Sequence, residues 1–153
     1  MAKTVYFING PNLNLLGTRE PEIYGTSTLK DIENRCRTIG SKHGLNVVFF
    51  QSNHEGDIID RLQEAIDAAQ GVVINAAAYT HTSVAIHDAL RAFKGYKIEL
   101  HISNPHLRES FRHVSFVSPV VDAVVAGLGV HGYELVLDVM ASELNRKESL
   151  ISA

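Results

Sequence analysis

Five β-branched or aromatic runs alternate with stretches of helical period, and the interior run Val72-Val73-Ile74 is apolar at every position. Together these predict an α/β fold: a five-stranded parallel sheet, doubly wound in flavodoxin-like order, with helices on both faces. A length of 153 residues suits one domain, 1–153, burying about two thirds of the surface the unfolded chain would expose.

The predicted strands are Thr4–Ile8, Leu45–Phe50, Val72–Ile74, Tyr96–Ile102 and Val120–Ala126. After Ser27, the stripe Leu29, Ile32, Cys36, Ile39 predicts a helix closed by Gly44 as C-terminal cap. Ile58, Ile59, Leu62 and Ile66 predict one apolar face of a second helix, with Asp60, Arg61, Gln63, Glu64 and Asp67 opposite. Ser83–Phe93 is a third helical run, and His131–Asn145, with Leu135, Val136, Val139, Met140 and Leu144, is the last. No internal repeat or linker interrupts the order.

Composition narrows the function. Hydrophobic residues make up 45% and charged residues 20%, the balance of a folded globular chain. A net charge of −3 argues against a general binder of nucleic acid or anionic membrane. Cys36 is the only cysteine, which excludes an internal disulfide and a CxxC pair, and its stripe position reads as a small buried hydrophobe. The N-terminal residues lack a signal-peptide pattern, and no apolar run reaches membrane-spanning length; a cytoplasmic protein is expected.

In a doubly wound sheet the ligand crevice lies outside the carboxyl ends of the strands. The segments there are Asn9–Gly25, Gln51–Glu55, Asn75–Ser83, Glu99–Pro105 with Arg108 and Arg112 behind it, and the glycine turn Gly127, Gly129. His101 follows Glu99 by two residues, on the same side of a strand, where a carboxylate can fix an imidazole's tautomer and favour its charged form. That makes His101 an acid/base candidate. Arg108 and Arg112, four apart, suit a carboxylate or hydroxyl-rich ligand near the amides of Ile102 and Ser103.

Other chemistries fit less well. The eight histidines form no HExxH and no facial triad: His81 and His87 are six apart, His101 and His106 five apart with Pro105 between. None of the lysines at 3, 30, 42, 94, 97 and 147 falls where a crevice Schiff base would need it. There is no GxxxxGK[ST], and Pro11 interrupts the turn after strand one where phosphate would want free amides. A flavin-binding module stays open by fold analogy, and a histidine-based metal hydrolase is a weaker third reading.

INGPNLNLLGTREPEIYG, NAAAYTHTSVAIHDAL, ELHISNPHLRESFRHVS and GLGVHGYELVL, taken together and in order, resemble the type II 3-dehydroquinate dehydratase family along almost the whole chain. Ala76-Ala77 stands where many family members have Pro-Gly. The resemblance implies conversion of 3-dehydroquinate to 3-dehydroshikimate by trans elimination of water through an enolate, with no metal and no cofactor. It implies Tyr24 as the base, with Arg19 as the nearby cation that favours phenolate. A free phenol ionises near pH 10, so reaching neutrality calls for about 4 kcal/mol of such help.

It further implies His101, oriented by Glu99, as general acid, and Asn12 as a stabiliser of the enolate through a water. Asn75, His81, Ser103, Arg112 and the Ile102 amide would grip the substrate, with Arg108 as a lid anchor. Asp88 would enter a neighbouring subunit's site in a homo-oligomer, a dodecamer of trimers. The loop at about 10–26 then reads as a lid hinged by Gly10, Gly17 and Gly25. The same reaction serves aromatic amino acid biosynthesis through the shikimate pathway and quinate degradation.

Overall fold

The computed structural model describes residues 1–152; Ala153, the last residue of the predicted domain, lies outside the described residues. Strands β1 (Lys3–Asn9), β2 (Leu45–Gln51), β3 (Gly71–Asn75), β4 (Tyr96–His101) and β5 (Ala123–Ala126) form one parallel sheet in the order β2-β1-β3-β4-β5. This is the flavodoxin-like order expected from the sequence. The chain order reverses beside β1, so the loops after β1 and β3 meet at the switch point. Register pairs Asn9 with Gln51 on one side and with Asn75 on the other, gathering three amide side chains at the carboxyl edge.

Helices α1 (Pro21–Tyr24), α2 (Leu29–Lys42), α3 (Glu55–Ala68) and α4 (Val84–Ala92) lie in the crossovers, and α5 (His131–Ser152) follows the last strand. Alternation along β1 divides the core into two layers. Val5 and Phe7 pack with Cys36 of α2 and with Tyr133, Val136 and Met140 of α5. Tyr6 and Ile8 pack instead with Ile58 and Leu62 of α3 and Ile86 and Leu90 of α4. Cys36 is fully buried, and burial pushes its thiol up to about 12, so it serves as packing.

Local chemistry explains the boundaries. Thr28 caps α2 by accepting from the Asp31 amide at 3.1 Å, while the Asp31 carboxylate accepts from the Thr28 amide at 3.0 Å. Gly44, at φ 71°, ends the helix in the left-handed region that its missing Cβ permits.

Three expectations change. β5 is shorter than Val120–Ala126 because Ser118–Val120 forms a 3-10 turn around Pro119, which has no amide for a sheet. On α3 the buried line is Ile58, Leu62, Ala65, the i, i+4, i+7 row, and Ile66 is exposed. On α5 Leu135 faces solvent while Tyr133 and Leu137 fill the core. Among the described residues no helix is long and apolar enough to cross a membrane.

Candidate active site

A cavity of about 200 Å³ opens at the carboxyl ends of β1, β3 and β4, where the strand order reverses. Asn12, Arg19 and Tyr24 line it from the loop after β1, and Asn75 and His81 from the segment after β3. His101, Ile102, Ser103, Arg108 and Arg112 line it from the end of β4 and beyond. Glu99 lies behind His101, and Asp88 sits exposed on α4, outside the cavity of its own chain. Leu13 and Leu16, not singled out by sequence, add an apolar wall.

The loop after β1 is held at one end and folded over at the other. The Gly10 amide donates to the Asn75 carbonyl at 2.8 Å, and a Cβ on Gly10 would overlap the Ala76 carbonyl. Gly10 is therefore a fixed point and not a hinge, which corrects the expectation from sequence. Gly17 (φ 91°) and Gly25 (φ 79°) bracket the segment that carries Arg19 and α1.

Asn53 ties the three loops together. Its side-chain oxygen accepts from the Asn12 amide at 3.0 Å and from Gln51 at 3.1 Å, and its carbonyl accepts from the Tyr79 hydroxyl at 2.8 Å. Only its place after β2 marked it in sequence, since loop asparagines are common.

On the lid side, the Tyr24 hydroxyl oxygen accepts from Arg108 Nη1 at 2.7 Å, and Arg108 also reaches Ser103 Oγ at 3.5 Å. Arg19 is present as expected, its guanidinium carbon 5.8 Å from the Tyr24 ring centroid, and it pairs with Glu20 at 3.4 Å. The direct hydrogen bond to the phenol thus comes from the residue expected as an anchor. Of the two guanidiniums beside the ring, the Arg108 one donates directly to the phenolic oxygen, whereas Arg19 lies over the ring.

On the sheet side, His101 Nε2 and Glu99 Oε2 are 2.5 Å apart. Glu99 is 1% exposed, and its other partners are Ser115 Oγ, donating to Oε2 at 2.9 Å, and Ser118 Oγ, donating to Oε1. Ser115 accepts from the amides of Val117 and Ser118 at 3.0 Å each, so its own hydrogen is directed to Glu99. Burial alone would raise the Glu99 carboxyl; hydrogen bonds from His101, Ser118 and Ser115, with the His101 charge, outweigh it and hold the group below its ordinary value. The carboxylate fixes Nε2 as the protonated nitrogen, which leaves Nδ1 for chemistry. The sequence signal for Ser115 and Ser118 was absent, because they come from a loop remote from Glu99 in the chain.

The remaining groups set donor and acceptor polarity. His81 Nδ1 lies 2.8 Å from the Val114 carbonyl, which can only accept, so Nδ1 carries the hydrogen and Nε2 is an acceptor. Burial pushes the His81 imidazole below its ordinary value, against the opposing effect of that hydrogen bond. Arg112 Nε donates to Glu109 at 2.7 Å. Ala77 takes φ 52°, a left-handed conformation.

Among the described residues no group of three or more His, Cys, Asp or Glu side chains converges as a metal site would need. A phenol beside a guanidinium and an imidazole beside a carboxylate in one small cleft can move two protons by separate groups.

The family model described as dehydroquinase class II matches residues 3–141. A 3-dehydroquinate dehydratase of Cereibacter sphaeroides (strain ATCC 17029 / ATH 2.4.9) is 63% identical over 135 residues, 88% of this chain and 92% of that protein. One of Bartonella henselae is 51% identical over 148 residues, 97% of this chain and all of that protein. The crystal structure of type II dehydroquinase from Propionibacterium acnes superposes with a TM-score of 0.90 at 45% identity, covering 93% of this chain and 98% of that one. With the sheet order, the cleft at its switch point and these matches in agreement, the chain belongs to the class II dehydroquinase family.

Proposed function

We propose that the chain dehydrates 3-dehydroquinate to 3-dehydroshikimate by trans elimination through an enolate, with Tyr24 as base and His101 as general acid. The observation that carries this reading is the pairing of two held groups across one cleft, Tyr24 with Arg108 and His101 with Glu99. Tyr24, as phenolate, takes the proton alpha to the ketone, and Arg108 and Arg19 favour that charge. The electron pair of the broken C–H bond forms the enolate, which Asn12 stabilises through a water.

The enolate collapses to the conjugated enone as the C–O bond breaks, and His101 donates a proton so that the hydroxyl leaves as water. Asn75, His81, Ser103, Arg112 and the Ile102 amide hold the substrate carboxylate and ring hydroxyls. The proposed reaction uses no metal and no cofactor.

Asp88 belongs to the same proposal as a residue that completes the site of a neighbouring subunit in a dodecamer of trimers. Its exposure on α4, outside its own cleft, supports this, as do exposed Leu107, Phe111 and Val114 in the segment that carries Arg108 and Arg112. A cytoplasmic location and a role in the shikimate pathway or in quinate metabolism complete the reading.

The experiment is to incubate the purified protein with 3-dehydroquinate after EDTA treatment and follow the ultraviolet absorbance of the enone. Sustained turnover supports the reading. No enone between pH 6 and 9 rejects it, and loss of turnover in EDTA would transfer the chemistry to a metal.

A further inference from the structure

Below the cleft a chain of buried side-chain hydrogen bonds crosses three strand ends. Asn9 Nδ2 donates to the Phe50 carbonyl at 3.0 Å, and Asn9 Oδ1 accepts from the Tyr133 hydroxyl at 2.6 Å. The Tyr133 oxygen accepts in turn from Asn75 Nδ2 at 3.0 Å, and Asn75 Oδ1 accepts from the Ala77 amide at 3.2 Å.

Both ends of this chain have fixed polarity. A carbonyl can only accept and a backbone amide can only donate. Phe50 therefore sets which end of the Asn9 amide faces Tyr133, and Ala77 sets which end of the Asn75 amide does the same. The two assignments meet without conflict at Tyr133, whose single hydrogen goes to Asn9.

Tyr133 is 0% exposed and stacks with Phe7 at a centroid distance of 6.1 Å, so its ring is held by packing. Burial pushes its phenol well above the ordinary value, and the hydrogen stays in place. Asn75, 4% exposed, lines the cleft, and Tyr133 takes only one of its two Nδ2 hydrogens.

We propose that Tyr133 and Asn9 are positioning residues that lock the Asn75 amide with Nδ2 as a donor toward the ligand. The cleft then offers a fixed donor at Asn75 and a fixed acceptor at His81 Nε2. This pairing recognises a hydroxyl or carboxylate oxygen at the first and a hydroxyl hydrogen at the second. A ligand presenting a donor to Asn75 would leave two buried hydrogens opposed and be rejected.

The inference rests on the proposed dehydration, and the test separates the two. Wild-type protein and the Tyr133→Phe, Asn75→Ala and double variants are assayed with 3-dehydroquinate, and folding is checked by near-ultraviolet circular dichroism. Tyr133→Phe keeps the stacked ring and leaves the Asn75 amide held by the Ala77 amide alone. KM should rise about tenfold with kcat within about threefold, and the double variant should match Asn75→Ala, because the hydroxyl acts only through that amide.

A role in stability alone would lower the melting temperature, leave KM unchanged and add independently to Asn75→Ala; that result overturns the proposal. If Tyr133→Phe does not fold, Asn9→Ala breaks the relay one link further from the ligand. It should raise KM in the same way, and a wild-type KM there is equally contrary. An inactive wild-type protein instead rejects the proposed function.

Discussion

Arg108 and Tyr24, 84 positions apart in the chain, meet through a hydrogen bond of 2.7 Å from Nη1 to the phenolic oxygen. This one contact both closes the loop after β1 over the cleft and places a permanent cation on the proposed base. Arg108→Ala should therefore lower kcat/KM at pH 7 by about a hundredfold. Arg19→Ala, which removes a more distant charge already paired with Glu20, should cost less. Steady-state kinetics on the two variants decides between them: a larger loss at Arg19 would assign the charge to that residue.

The Glu99 carboxyl, held below its ordinary value chiefly against its own burial, links acid stability to the site. A carboxyl with a depressed folded value contributes stability that is complete above the unfolded value, about 4.3, and is lost as pH falls through the lower folded value. Thermal melts taken from pH 5 down to pH 3 should thus fall less steeply for Glu99→Gln than for the wild type. Parallel curves would mean that Glu99 is not stabilised as its partners indicate.

Ser115 Oγ donates to the same Glu99 oxygen as His101, and Ser118 Oγ donates to the other. Hydrogen bonds to a charged group contribute about 1.5–3 kcal/mol, so Ser118→Ala should slow kcat about tenfold with little change in KM. A change confined to KM would place Ser118 with substrate binding.

His81 is held below its ordinary value by burial and presents Nε2 as an acceptor. Protonation converts that acceptor to a donor. KM should therefore climb only at pH values below an ordinary histidine's value of about 6.5. His81→Asn should start from a higher KM and lose most of that slope. An unchanged slope would assign the pH effect to another group.

Ala77 occupies a left-handed conformation at φ 52°. The cost to an L-residue there is about 1–2 kcal/mol, and glycine gives back about half in chain entropy. Ala77→Gly should raise the melting temperature by about 2 °C. Destabilisation would show that the Ala77 methyl makes packing contacts worth more than the backbone cost.

The sheet was readable because apolar runs such as Val72-Val73-Ile74 admit little but a doubly covered strand, and the strand ends then pointed to the cleft. Glu99 and His101 were readable for a local reason, a two-residue spacing on one strand. Arg108 was harder: nothing in a sequence ranks Arg108 above Arg19 as the partner of a tyrosine so far away. Tyr133 was hidden entirely, since one aromatic among the apolar positions of α5 looks like core until Asn9 and Asn75 converge on its hydroxyl. Gly10 was misread because a glycine in a loop suggests freedom, whereas here its missing Cβ lets two loops touch.

Tyr24→Phe probes the mechanism at its centre, because it keeps the ring and removes only the oxygen that Arg108 holds. Single-turnover mixing with 3-dehydroquinate should give no enone absorbance above background, while calorimetry shows the substrate still binding within about tenfold of the wild-type affinity. Enone formation at a rate near that of the wild type would contradict Tyr24 as the base.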